Sequence, residues 1–143
     1  MFIGQYNHAV DEKGRMNMPA KFRREVAEGV VITRGLDHCL FVYPKAEWEQ
    51  MAQKLSSLPI SQKSSRAFAR LMLAGAWESQ IDSQGRIMLP EYLRAYAGVK
   101  KHTVVAGLFN RIEIWDEDAW QEYQAKTEAE SDSIAESMRE LGI

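Results

Sequence analysis

Apolar and polar residues alternate from Phe2 to Val10, the period of a half-buried strand. Asp11-Glu12-Lys13-Gly14 interrupts the alternation, and a second short run occupies residues 15–18. Asp-x-x-Gly is a turn for a physical reason. The carboxylate can accept from backbone N–H groups two residues on, and glycine takes the positive φ that closes the loop. Pro19 suits a first helical turn, where the missing N–H costs nothing, so residues 20–27 are expected to be helical. Two more strands are expected at 30–33 and 40–43, and a helix over 45–55.

The same order then recurs. Asp82-Ser83-Gln84-Gly85-Arg86-Ile87-Met88-Leu89-Pro90 repeats Asp11-Glu12-Lys13-Gly14-Arg15-Met16-Asn17-Met18-Pro19 at an offset of 71. Gly107-Leu108, Ile112–Trp115 and Trp120 repeat Gly35-Leu36, Leu40–Tyr43 and Trp48 at an offset of 72, so one residue has entered a loop. This is a duplicated supersecondary unit. The second copy is expected to hold strands at 77–81, 86–89, 103–106 and 111–115, and helices at 91–97 and 117–126. Ser56-Ser57-Leu58-Pro59 breaks the chain between the copies, and beyond it Ala67, Phe68, Leu71, Met72 and Ala74 lie at helical spacing. The expected organisation is a first repeat at 1–55, a linking helix at 56–76, a second repeat at 77–126 and a helical tail at 127–143. Ile134, Met138 and Leu141 give the tail one apolar stripe, which suits either a frayed surface helix or an oligomer contact. The fold class is α+β. Each copy is read as a β-hairpin unit with an exposed edge, and pairing of the two within the chain would close a β-barrel flanked by helices.

Composition adds limits. With 45% hydrophobic and 27% charged residues the chain reads as an ordinary soluble globular protein. No run approaches 18 apolar residues, and the first residues lack a basic stretch leading into an apolar one. Neither membrane insertion nor secretion is therefore expected. The single cysteine, Cys39, lies in an apolar run and is expected in the core of a cytoplasmic protein. His8, His38 and His102 show no metal-ligand spacing. No nucleophile elbow, phosphate-binding glycine loop or dinucleotide fingerprint is present. No enzyme activity, metal or cofactor is expected. The net charge of −2 hides an asymmetry: residues 1–70 hold 11 Lys and Arg against 7 Asp and Glu, residues 71–143 hold 7 against 13. Either this is uneven surface charge, or the basic half turns toward a polyanion.

The remaining chemistry gathers at the first turn. Lys13 and Arg15 flank Gly14, and Lys21, Arg23 and Arg24 come soon after. Arginine's rigid fork can grip a phosphate or pair with guanine, lysine supplies point charge, and a two-stranded ribbon can enter a major groove. The plainer reading is that Arg15 neutralises Asp11 and the other cations are solvated. Asp82 and Arg86 repeat the pair in the second copy, with Ser83 and Gln84 in place of Glu12 and Lys13.

The twin Asp-x-x-Gly-Arg segments, each with proline four residues after the arginine, resemble the MraZ family of bacterial regulators, which carry two tandem SpoVT-AbrB-type domains. The resemblance covers nearly the whole chain. It implies a barrel built from two swapped-hairpin-like units, and DNA contacts through Asp11 with Arg15 and Asp82 with Arg86, Lys13 belonging to the same loop. It also implies ring-like homo-oligomers of about eight to twelve subunits. Their expected partner is double-stranded DNA, as direct repeats in the promoter of the division and cell-wall gene cluster, and their expected place is the cytoplasm, on the nucleoid. An antitoxin-like protein-interaction module is the other use this fold is put to.

Overall fold

The alternating segments pair across the two copies more than within them. The computed structural model describes residues 1–143. Its strands are β1 (Phe2–Ala9), β2 (Arg15–Asn17), β3 (Val30–Arg34), β4 (Leu40–Pro44), β5 (Trp77–Ser79), β6 (Arg86–Met88), β7 (His102–Phe109) and β8 (Ile112–Asp116). The helices are α1 (Lys45–Ser56), α2 (Lys63–Ala69), α3 (Glu91–Ala97), α4 (Glu117–Ala129) and α5 (Ser131–Ser137).

Six strands form one sheet in the order β1-β7-β8-β4-β3-β5, and β2 pairs only with β6. The first strand of each copy thus lies on the other copy or far from its own turn partner. β1 pairs antiparallel with β7 from Phe2↔Phe109 to Ala9↔His102, and β5 pairs with β3. The hairpin expected inside each copy shrinks, in the first, to a single bridge between Val10 and Met16. The closed barrel expected from the sequence is replaced by an open ladder, with β1 and β5 at its ends, and a separate two-stranded ribbon. The physical reason is packing: crossing to β6 buries Met16 against Ile87 while the two short strands satisfy each other's backbone groups.

Side-chain alternation sends Met16 and Ile87, partners at the centre of the ribbon, into the core at 0% and 1% exposure. They meet Phe2, Val10, Phe22, Ile32, Leu40, Val42, Leu93, Ile112 and Ile114 in one cluster beneath the sheet. The opposite sheet face carries Phe41, Tyr43, Val104 and Trp115, covered by Leu55 of α1 and by Met72. β4 and β8 are buried on both faces; β4 accordingly reads as a continuous apolar run, and β8 departs from one at Glu113, whose carboxylate accepts from Arg111 and from Trp115 Nε1. Cys39 is buried in this second cluster and donates its S–H to Leu36 O at 3.2 Å, and burial raises its pKa, so it is a core thiol as expected.

Two helices differ from expectation. Residues 20–27 form a 3₁₀ turn, Ala20–Phe22, and a series of tight turns rather than an α-helix. Successive bonds run i to i+3, from Phe22 N to Pro19 O and from Val26 N to Arg23 O. The corresponding stretch of the second copy, α3, is helical. Its inward positions are Leu93 and Ala97, where the first copy has Phe22 and Val26. Phe22 is wedged edge-on between Phe2 and Tyr6, with ring centroids 5.1 and 5.3 Å away, and β-branched Val26 is a poorer helix former than alanine. Of the linking segment expected as helix over 56–76, α2 covers only Lys63–Ala69 and then passes into a π turn, Arg70–Ala74, whose Met72 carbonyl accepts from buried Thr33.

Candidate nucleic-acid interface

Each Asp-x-x-Gly-Arg turn is built the same way, to a tenth of an ångström. Asp11 Oδ1 accepts from the backbone N–H of Lys13 and of Arg15, both at 2.9 Å, and Oδ2 accepts from Arg15 Nε at 2.8 Å. Asp82 Oδ1 accepts from Gln84 and Arg86 at 2.9 Å, and Oδ2 from Arg86 Nε at 2.8 Å. Gly14 and Gly85 close the turns at φ of +83° and +78°, a region side chains rarely adopt. The tight turn therefore does more than reverse the chain. The aspartate holds each guanidinium by its inner nitrogen, and neither terminal nitrogen has a partner within the protein. A free pair of N–H₂ groups is the kind of fork that can grip a phosphate or a guanine edge.

The ribbon then places the two turns together. Its register is Arg15↔Met88, Met16↔Ile87 and Asn17↔Arg86. Met16 and Ile87 face inward, so Arg15, Asn17, Arg86 and Met88 share the outer face. Arg15 and Arg86 are diagonal neighbours on that face, a separation of roughly 7–8 Å between such positions. Each turn is also tied to the other copy, since Leu89 N donates to Gly14 O and Met18 N to Gly85 O.

Of the other expected cations, Lys13, Lys21 and Arg24 are exposed, and their side chains make no hydrogen bond or ion pair within the chain. Arg23 has a structural task as well. Its Nε donates to Met18 O at 3.0 Å, and its guanidinium lies over Gly85, where an added Cβ would meet Cζ at 2.5 Å. Arg94 is its counterpart, donating to Leu89 O at 2.9 Å with its Nη2 beside Gly14. Each copy's arginine thus buttresses the other copy's turn. Burial, and then the Arg23 charge, lower the pKa of His8.

Asn17 and Met88 were missed as members of this surface, and Arg94, basic beside the second turn, was not assigned to it. Strand alternation from Arg15 would have found Asn17, and the offset of 71 from Arg23 would have found Arg94. Met88 depended on the cross-copy register. The Trp and Tyr rings lie mostly in the two cores or against them. No three His, Cys, Asp or Glu residues are grouped to hold a metal ion, and no helix is long and apolar enough to cross a membrane.

The backbone N–H of Arg15, then its side chain and the N–H of Lys13, hold the Asp11 carboxyl below the usual carboxylate range, and Arg86 and Gln84 do the same for Asp82. A depressed folded-state pKa means the turn bonds are complete above the ordinary aspartate value and are lost only as the pH falls through the lower one. The Arg15 and Arg86 amide resonances should stay unshifted from pH 8 to 5 and move only below about pH 4. A midpoint above pH 4 would show that the carboxylates are not held this way.

A family model described as "MraZ protein, putative antitoxin-like" matches twice, over residues 1–71 and 72–141. The chain is 50% identical over 143 residues to the transcriptional regulator MraZ of Halothermothrix orenii, covering all of both chains. It is 46% identical over 143 residues to the protein of that name from Caldanaerobacter subterraneus subsp. tengcongensis, again over the whole of both. With that of Desulforamulus reducens the identity is 46% over 141 residues, 99% of each. A duplicated turn with matching geometry in both copies, and full-length likeness to these proteins, together place the chain in the MraZ family.

Proposed function

We propose that this chain is a sequence-specific DNA-binding transcriptional regulator. In this reading it acts as a ring-like homo-oligomer on direct repeats in the promoter of the division and cell-wall gene cluster, in the cytoplasm and on the nucleoid. The observation that carries the reading is the ribbon face. Two guanidinium groups, each oriented by an aspartate and free at its outer nitrogens, lie as diagonal neighbours on one face of a two-stranded element. Such a ribbon is narrow enough for the major groove. Arg15 and Arg86 read base edges in this scheme, with Asp11 and Asp82 aiming them. Lys13, Lys21 and Arg24 supply phosphate contacts that set position. Arg23 keeps the second turn in place. The names of the relatives support the regulatory role. A net charge of −2 makes one subunit a weak binder, but neighbours in an assembly would engage successive repeats at high effective concentration.

Footprinting on the DNA upstream of the chain's own gene tests this. Protection should appear as short patches at a regular interval. Two engaged subunits with three phosphate contacts each would lose ~10³-fold in affinity between 50 and 200 mM salt. Binding indifferent to salt, or no protection in dilute buffer, would sink the reading. The words "putative antitoxin-like" in the family description, with the acidic tail, support a second reading, an assembly module for another protein. Absence of any footprint alongside stable capture of a protein partner would favour it.

A further inference from the structure

The two copies differ in how their closing helices are covered. In the first copy α1 packs Trp48 against Tyr43, with ring centroids 5.7 Å apart. Met51 and Leu55 of α1 lie beneath the next segment, α2 and its π turn, which brings Phe68, Met72 and Leu73 onto them. Met72 is 1% exposed and Leu55 4%. In the second copy Trp120 packs against Trp115, with centroids 5.4 Å apart, in the same relation. No later segment of the chain covers them. The corresponding place is a cavity of about 350 Å³ lined by Leu36, Phe41, Leu108, Trp115, Trp120 and Tyr123. Leu36, Leu108 and Tyr123 are 51%, 40% and 44% exposed, and Trp120 Nε1 is buried beside them with no acceptor.

The segment that should cover this groove by analogy exists, in the wrong place. After α1 comes α2, and after α4 come α5 and a 3₁₀ turn, Arg139–Leu141. The tail carries Ile134 and Met138 four residues apart, as the linking segment carries Phe68 and Met72. Six residues, 57–62, separate α1 from α2, enough to reverse the chain. One residue, Glu130, separates α4 from α5. Helix reversals take two residues or more, so α5 cannot fold back over its own α4. It stands exposed instead, Ile134 at 41% and Leu141 at 70%.

From this we infer that the tail of each chain, α5 with Arg139–Leu141, docks into the Trp115–Trp120–Tyr123 groove of a second copy, restoring between chains the packing that α2 makes within one. A helix presenting apolar residues at i, i+4 and i+7 is the shape such a groove receives. Too short a hinge is the condition under which an element is exchanged between protomers rather than folded back. Each chain offers one tail and one groove, different surfaces, so the contact is head-to-tail and propagates, closing into a ring where the rotation permits. The inference rests on the oligomeric reading above and names its contact.

The test measures mass in solution, by sedimentation, for the full chain and two variants. The tail variant is Ile134→Glu with Met138→Glu. The groove variant is Leu108→Glu, or Tyr123→Glu should the first melt non-cooperatively. The unaltered chain should assemble, and each variant should fall to the mass of one chain, 16.4 kDa, with its circular dichroism unchanged. Mixed in equal amounts, the two variants should form a species of twice that mass and nothing larger, because one intact tail meets one intact groove. A tail variant that assembles like the unaltered chain, or a mixture that stays monomeric, overturns the docking contact and leaves the ring reading standing. An unaltered chain that is monomeric at high concentration overturns both.

Discussion

Arg15→Ala is expected to abolish most of the promoter affinity while leaving the fold intact, and Arg86→Ala to weaken it through the same chemistry. Each arginine that reads a base with two N–H groups contributes about 1–3 kcal/mol of discrimination, about a 5- to 150-fold change for every engaged subunit. Across several subunits on successive repeats the losses multiply. Arg15→Lys should not rescue, since lysine has neither the Nε that Asp11 holds nor the fork beyond it. The change in Tm should be small, because Arg15 and Asp11 are 32% and 38% exposed, and ion pairs at such positions hold a fold only weakly. Electrophoretic mobility shifts and thermal melts on the same preparations check both halves. If Arg15→Ala unfolds the protein, or binds as before, the arginine is a structural residue. The first copy should carry more of the affinity, because Lys13 stands where the second copy has Gln84.

The largest loss of stability is expected at the ribbon's buried face. Met16→Ala and Ile87→Ala each remove a large side chain from a site with no access to water, at a cost of about 2–5 kcal/mol. Neither residue lies on the outer face, yet both changes should lower DNA affinity, since the Met16–Ile87 pair is what holds Arg15 and Arg86 at their separation. The two are in contact, so the double variant should cost less than the sum. Asn17→Ala, on the outer face opposite Arg86, should leave stability nearly unchanged and so serves as the control. Urea unfolding measures all four. Losses below about 1 kcal/mol at Met16 and Ile87 would mean that the ribbon is peripheral to the core.

Much of the site was legible because it is local. The Asp11–Arg15 turn spans five residues, and its donors, acceptor and glycine are all within that span, so composition and spacing sufficed to read it. The same holds for Cys39 in its apolar run. The helix expected over 20–27 failed because its outcome depends on Phe22 meeting Phe2 and Tyr6, residues far away in sequence. By spacing alone Arg23 reads as one more cation of the DNA-facing cluster. Its contact with Gly85 crosses from one copy to the other, and no spacing within the first copy encodes it.

By itself the sequence determined the duplication, the type and order of most elements, the two arginine turns and the absence of long apolar spans. Each of these depends on neighbours within a few residues, where side-chain period and turn chemistry act directly. Only the tertiary structure decided partners. β2 could close a hairpin with β1 or cross to β6, and the alternation pattern is identical for both; burial of Met16 against Ile87 chose the second. That choice, made by packing rather than by local propensity, turns two separate loops into one face with two forks.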